Sequence, residues 1–255
     1  MVCVPFRLPR ALMLLAGFAP LLVAAPASAA ETFNDAQRAE IKSLVREYLV
    51  EHPEVIAEAI DVLRERQQKE EMERNKSALK SNSDALFHSK GDPVLGNPDG
   101  DVTVVEFFDY RCGYCKAVAP HVMDVIKGDG KVRLVLKELP ILGPDSIMAA
   151  RWSLAARKEK AYQPFHTAMM KYKGTYTAES LGKMAEENGL DAKKIAAAAD
   201  SDEISQILKA NMQLARELGI NGTPAFVVGD HLVPGAMGPD DLKELIADVR
   251  ENKAK

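Results

Sequence analysis

Cysteine is nearly missing from these 255 residues: there are three, and beyond residue 30 only Cys112 and Cys115. A disulfide-stapled scaffold is excluded, and so is a structural zinc site, which usually needs four ligands. An excess of basic charge is also missing. Thirty-three Lys and Arg face 37 Asp and Glu, for a formal net charge of −4. No basic patch interleaved with aromatics occurs, so nothing points to nucleic acid. Long apolar runs are confined to Ala11–Ala25, which Gly17 and Pro20 interrupt. That run is too short for a retained membrane anchor. With Arg7 and Arg10 before it and Ala27-Ser28-Ala29 after it, residues 1–30 read as a secretory signal peptide. Its removal takes Cys3 and two arginines and leaves a net charge of −6. The expected location is an oxidising compartment outside the cytosol, where further cysteines would serve as staples. The one disulfide the mature chain can form internally is then Cys112–Cys115.

What is present is a buried-strand pattern running into that pair. Val104-Val105-Glu106-Phe107-Phe108 is apolar and β-branched, and it ends in the polar turn Asp109-Tyr110-Arg111. Cys112-Gly113-Tyr114-Cys115 follows, and Lys116–Lys127 reads as a helix. Cys112 therefore sits where a helix begins, facing unpaired N–H groups and the positive end of the helix dipole. Both favour a thiolate and lower its pKa. Cys115, one turn on, lies beside it and can close a disulfide. One activated, exposed thiol and one shielded thiol suit thiol–disulfide exchange.

Upstream, residues 31–80 form a helical region unlike the rest. Asn34 or Asp35 can cap a first helix with an apolar face of Ile41, Leu44, Val45, Tyr48 and Leu49. Pro53 fits the first turn of a second helix with a stripe of Val55, Ile56, Ala59, Ile60 and Leu63. From Arg64 to Lys76 only Met72 is apolar, which predicts a solvated spacer. Two short amphipathic helices cannot form a core alone. Their stripes bury either on the main domain or, as the spacer favours, against further copies of this chain. Ser81–Gly91 is polar and reads as a loop and hinge.

Downstream, Val94-Leu95 is a short strand, Pro120 should kink the Cys helix, and Lys131–Glu138 is a strand parallel to the first. Helices are expected over Asp145–Lys158, Ala161–Tyr172, Ala178–Asn188, Asp191–Asp200 and Glu203–Leu218, with Asp145, Thr177 and Asp202 near caps. Gly222-Thr223-Pro224 then leads into Phe226–Val228, a Gly229-Asp230 turn, His231–Val233 and a last helix over Pro239–Asn252.

This order resembles the DsbA-like thioredoxin family over residues 92–254. Val105-Glu106-Phe107-Phe108 before the CxxC and Gly222-Thr223-Pro224 carry the likeness. The stretch Tyr48–Ile56 is similar to the amino-terminal region of the copper-sensitivity suppressor ScsC proteins. The resemblance implies an α/β thioredoxin fold with a helical insertion at about 140–219, preceded by an α-helical oligomerisation stalk. It implies Cys112 as nucleophile and Cys115 as resolving thiol. Thr223-Pro224 would carry a cis peptide bond packed against the disulfide, with the Thr223 backbone placed to pair with a substrate strand. Gly113 and Tyr114 would complete the substrate-binding set. Glu106 would be the buried acid beneath the disulfide, able to take the Cys115 proton. Its plainer reading is a salt-bridged acid at a strand edge, with Lys137 as partner. Gly113-Tyr114 departs from the Pro-His of strongly oxidising members, which predicts a less oxidising couple. His121 reads as a surface histidine.

The function expected is a periplasmic disulfide isomerase or reductase acting on secreted, cysteine-containing clients. It would work as a homo-oligomer, a trimer being favoured, kept reduced by a membrane reductant of DsbD or ScsB type. No cofactor beyond the Cys112–Cys115 disulfide is expected. The alternatives are a DsbA-type dithiol oxidase and a copper-tolerance protein holding Cu(I) at Cys112 and Cys115.

Overall fold

The computed structural model describes residues 33–253; the signal-peptide reading of residues 1–30 lies outside them. The chain divides into two compact units, Met1–Val62 and Leu63–Lys255.

In the first unit, α1 spans Asp35–Glu51. Asn34 is its cap: its side chain accepts from the Gln37 N–H at 2.9 Å, and the Gln37 side chain accepts from the Asn34 N–H at 3.0 Å. Helix α2 (Glu54–Ser81) follows Pro53 and runs on into the second unit. At about 1.5 Å per residue, its 28 residues reach about 42 Å. Of the stripe residues of the first unit, Ile41, Leu44, Val45, Tyr48, Ile56 and Ile60 are exposed, while Leu49 and Val55 are half-buried. No helix among the described residues is long and apolar enough to cross a membrane.

The second unit contains α3 (Ser83–Phe87), β1 (Val94–Gly96), β2 (Val102–Phe108), α4 (Gly113–Asp129) and β3 (Val132–Glu138). Next come α5 (Pro144–Ala156), α6 (Tyr162–Lys171), α7 (Ala178–Glu187), α8 (Ala192–Ala199) and α9 (Asp202–Glu217), then β4 (Ala225–Val228), β5 (His231–Pro234) and α10 (Pro239–Lys253). The sheet order is β1-β3-β2-β4-β5. β2 and β3 are parallel, as a strand–helix–strand crossover requires; the other pairs are antiparallel.

Both faces of the sheet are covered, so β2 reads as a continuous apolar run rather than an alternating one. Successive side chains still point to opposite faces. Val104 and Phe108 join α4, the α5–α8 helices and α10 in one core. Val105 and Phe107 join Leu79, Leu86, the α9 residue Leu214 and its C-cap Leu218 in the other. Glu106 therefore points to the α4 side, beneath the cysteines.

The structure corrects the sequence reading at four places. Ser81–Gly91 is not an open loop: Ser83–Phe87 is helical, and Leu86 is fully buried against the sheet. Leu86 and the partly buried Phe87 anchor it, an apolar pair too short to show a period. Lys137 pairs not with Glu106 but with the buried Asp92, at 2.5 Å; adjacent strand positions of opposite parity face opposite sides. Helix α5 starts after Gly143, with no side-chain cap from Asp145. Helix α9 is capped by Ser201, which outcompetes Asp202 by one position. The caps at Thr177 and Asp191 do form.

Candidate active site

Cys112 is the N-cap of α4, with extended backbone at φ −70° and ψ 117°. Its sulfur accepts from the Cys115 N–H at 3.2 Å, taking up one of the donors a helix start leaves unpaired. The thiol in turn donates to the Thr223 carbonyl at 3.2 Å. That carbonyl is delivered by the cis Thr223-Pro224 bond at the start of β4. Two segments 111 residues apart thus meet at one sulfur. Both cysteines are free thiols. Cys115 is fully buried and Cys112, expected to be exposed, is only 5 % so, because the Thr223 carbonyl packs on its sulfur; Tyr114 is 72 % exposed and Gly113 is also exposed. A side chain grafted onto Gly113 would meet open space.

The two thiols are driven apart electrostatically. The hydrogen bond from Cys115 pulls Cys112 down to about 6 against the opposing penalty of burial, helped by Thr223 and by the N–H groups of Cys115 and Tyr114. The same bond, together with burial, raises Cys115 far above the usual thiol range. At neutral pH the arrangement is a thiolate beside a thiol, able to attack a disulfide and later to be attacked.

Glu106 lies under this pair with Leu136 and Phe226 as its strand partners. It is buried, and its Oε1 has no hydrogen-bond partner. Burial first, and the charge of Cys112 second, push its pKa up to about 8. The salt-bridged alternative is gone, since none of the ion pairs among the described residues involves Glu106 and Lys137 belongs to Asp92. Glu106 is an acid held neutral at the sulfur pair: protonated it can donate, and the fraction that ionises near pH 8 is a base beneath Cys115. His121 is exposed, as expected.

Three features escaped the sequence reading. The first is Asp109, the polar residue that ends β2. It is buried and accepts from the Arg111 N–H (2.7 Å), Ser146 Oγ (2.8 Å), the Ile141 N–H (2.9 Å) and the Leu142 N–H (3.1 Å). It ties the active-site turn to the loop after β3. Asp109→Ala would leave four donors short of a partner, and a loss of about 3 kcal/mol in urea unfolding is expected. The second is Tyr110, whose hydroxyl meets Ser153 Oγ and His166 Nδ1, each at 2.7 Å, and whose carbonyl accepts from Tyr176 at 3.2 Å. These bonds fasten the helical insertion to the Cys turn. The third is Glu138, at the end of β3, whose carboxyl oxygens have no partner and which burial holds neutral. The one local signal was a polar residue abutting an apolar strand; apart from Arg111, the partners lie 32 to 66 residues away.

Comparison with known proteins agrees with this geometry. The DSBA-like thioredoxin domain model matches residues 103–247, and the model of the copper resistance protein ScsC N-terminal domain matches residues 37–70. A thioredoxin-like oxidoreductase from Silicibacter pomeroyi is 43 % identical, covering 66 % of this chain and 97 % of that one, with a TM-score of 0.64. Proteus mirabilis ScsC is 32 % identical over 86 % of this chain and all of that one, with a TM-score of 0.65. The thiol:disulfide interchange protein DsbA of Bordetella parapertussis is 30 % identical over 142 residues, 54 % of this chain and 68 % of that protein. The chain belongs to the DsbA-like thioredoxin family of thiol:disulfide oxidoreductases and carries an amino-terminal domain of ScsC type.

Proposed function

We propose that this oxidoreductase is a periplasmic disulfide isomerase that works as a homo-oligomer. The supporting observation is a pairing of two features: a thiolate-prone Cys112 over a buried acid, and an amino-terminal helix pair whose apolar stripes are exposed in the single chain. Reduced Cys112 attacks a client disulfide; that S–S bond breaks, a mixed disulfide forms and a client thiolate leaves. A second client thiolate then attacks the mixed disulfide and frees Cys112. No electrons are consumed, and the client pairing has changed. If the client stalls, Glu106 first loses its own proton to solvent; the carboxylate then takes the Cys115 proton, and the Cys115 thiolate attacks Cys112 and releases the client reduced. The Cys112–Cys115 disulfide so formed needs two electrons from a protein reductant of DsbD or ScsB type.

Isomerisation over oxidation is supported by the thiol itself. The most oxidising dithiols hold their nucleophilic cysteine near about 3.5, whereas Cys112 is held at about 6. Tyr114, exposed and uncharged, gives no histidine-like support to the thiolate. Tyr114→His is expected to lower the midpoint of Cys112 ionisation and to make the couple more oxidising, as measured by equilibration with glutathione.

The exposed stripes of α1 and α2 support self-association, three copies being the favoured number. Leu79 and Leu86 belong to the catalytic core, so a stalk deletion must stop short of them. Removing residues 31–62 is expected to convert an oligomer into a monomer that reduces disulfides but refolds scrambled substrate poorly. A monomeric mass for the parent chain would sink the oligomer.

A second reading has one observation in its favour, the ScsC domain described by copper resistance. Residues 37–70 contain neither Cys nor Met. No group of three or more His, Cys, Asp or Glu able to hold a metal exists among the described residues. Cu(I) would have to sit between the two thiolates, a two-coordinate soft site. Copper that blocks Cys112 alkylation one-for-one would support it.

A further inference from the structure

Beside the active-site turn, between α4 and α6, runs a groove of about 550 Å³. Gly113, set between the two cysteines, lies at one end. Pro120, Met123 and Met170 give it an apolar lining. Around this lining stand Lys127, Lys171 and Lys173, all exposed and none in an ion pair among the described residues. A fourth lysine, Lys116, is already engaged: it donates to the Tyr172 carbonyl and lies 5.2 Å from the centre of the Tyr176 ring. Asp124 is the one acid in the lining. This concentration of cations does not follow from composition, since the whole chain is net negative. Nor does the groove share a residue with the cavity along the cis-proline loop, where a substrate backbone would pair.

An apolar channel rimmed by unneutralised ammonium groups suits a peptide that presents an apolar side chain flanked by carboxylates. Because the channel reaches Gly113, the peptide that fills it belongs to the molecule bonded to Cys112. We propose that this groove receives the acidic, apolar-anchored segment next to the exchanging cysteine of client polypeptides, and so sets which clients react fastest. The proposal rests on the thiol–disulfide reading of Cys112 and adds a substrate class to it. Exposed ion pairs contribute little singly, so the preference comes from three acting together and is screened by salt.

The test uses full-length reduced protein and two synthetic peptides. Each has one cysteine disulfide-bonded to a chromophoric thiol; one carries Glu-Leu-Asp beside it, the other Lys-Leu-Lys. The acidic peptide is expected to exchange about tenfold faster at low salt. The gap should shrink below about twofold at 1 M salt, where the screening length is about 3 Å. Reversing Lys127, Lys171 and Lys173 together to Glu is expected to invert the preference while leaving exchange with a small neutral disulfide unchanged. Should the triple variant lose that reactivity too, Lys171→Glu and Lys173→Glu singly are expected to narrow the gap a few-fold each. Equal rates for the two peptides in the parent, or a preference that survives charge reversal, overturn the proposal. A parent chain that reacts with neither peptide nor small disulfide removes the redox reading itself.

Discussion

Cys112→Ser is expected to abolish disulfide exchange, by more than about 10³-fold, because a serine hydroxyl has no accessible anion at neutral pH and cannot form the mixed disulfide. Cys115→Ser is expected to do the opposite of silencing the protein: attack proceeds and the mixed disulfide accumulates, since the resolving sulfur is gone. The pH dependence separates an activated thiol from an ordinary one. With its ionisation held at about 6, Cys112 should alkylate along a curve with its midpoint there. At pH 7 the comparison with an unperturbed cysteine of pKa about 8.5 is a poor test. The thiolate fraction is about 30-fold higher, but the intrinsic nucleophilicity of a less basic thiolate is about 10-fold lower, so the two nearly cancel. At pH 5.5 the fraction advantage grows to about 240-fold, and a net gain of about 20-fold remains. Iodoacetamide labelling at pH 5.5, against the same chain unfolded in urea, is the decisive measurement. Equal rates in the two states would remove the activated-thiol premise.

The second large effect belongs to Glu106. Its pKa rises from 4.5 to about 8 on burial, so the folded chain binds this proton more tightly than the unfolded chain does. Its contribution to stability is intact below pH 4.5. It is lost progressively as pH climbs to about 8 and then levels off. At about 1.4 kcal/mol per pH unit, the penalty is about 3 kcal/mol at pH 7 and about 5 kcal/mol above pH 8. Glu106→Gln, neutral at every pH, is expected to lack that loss. Urea unfolding of the reduced proteins should show the variant gaining on the parent by those amounts between pH 4 and pH 9. A gap that stays constant with pH would mean Glu106 is not held neutral in the fold. Activity should move the other way. With no base beneath the pair, Cys115 cannot shed its proton readily, and decay of the Cys112 mixed disulfide is expected to slow about a hundredfold. A residue kept at a stability cost and required for resolution is what a buried proton acceptor entails.

The Asp109 network gives those two effects their setting. Asp109 and Tyr110 hold the Cys turn from opposite sides, one to the loop after β3 and one to the helical insertion. Loss of Asp109 is therefore expected to lower stability and, with it, the fixed approach of Cys112 to Thr223.

The sequence by itself determined the elements and their order. Apolar run, CxxC, helix and parallel strand are local patterns, and so are the amphipathic stripes of α1 and α2, because a period of two or of 3.6 is written in neighbouring residues. Cys112 as a helix-start thiol was legible for the same reason. Only the tertiary structure decided the rest. It placed Thr223 against Cys112, a contact that the family resemblance implies but no spacing encodes. It gave Lys137 to Asp92 and left Glu106 between Leu136 and Phe226. It also folded Ser83–Phe87 onto the sheet through Leu86 and Phe87. Strand parity says which way a side chain points, but the partner waiting there comes from chain far away in sequence. The energetics of a buried charge depend on that partner.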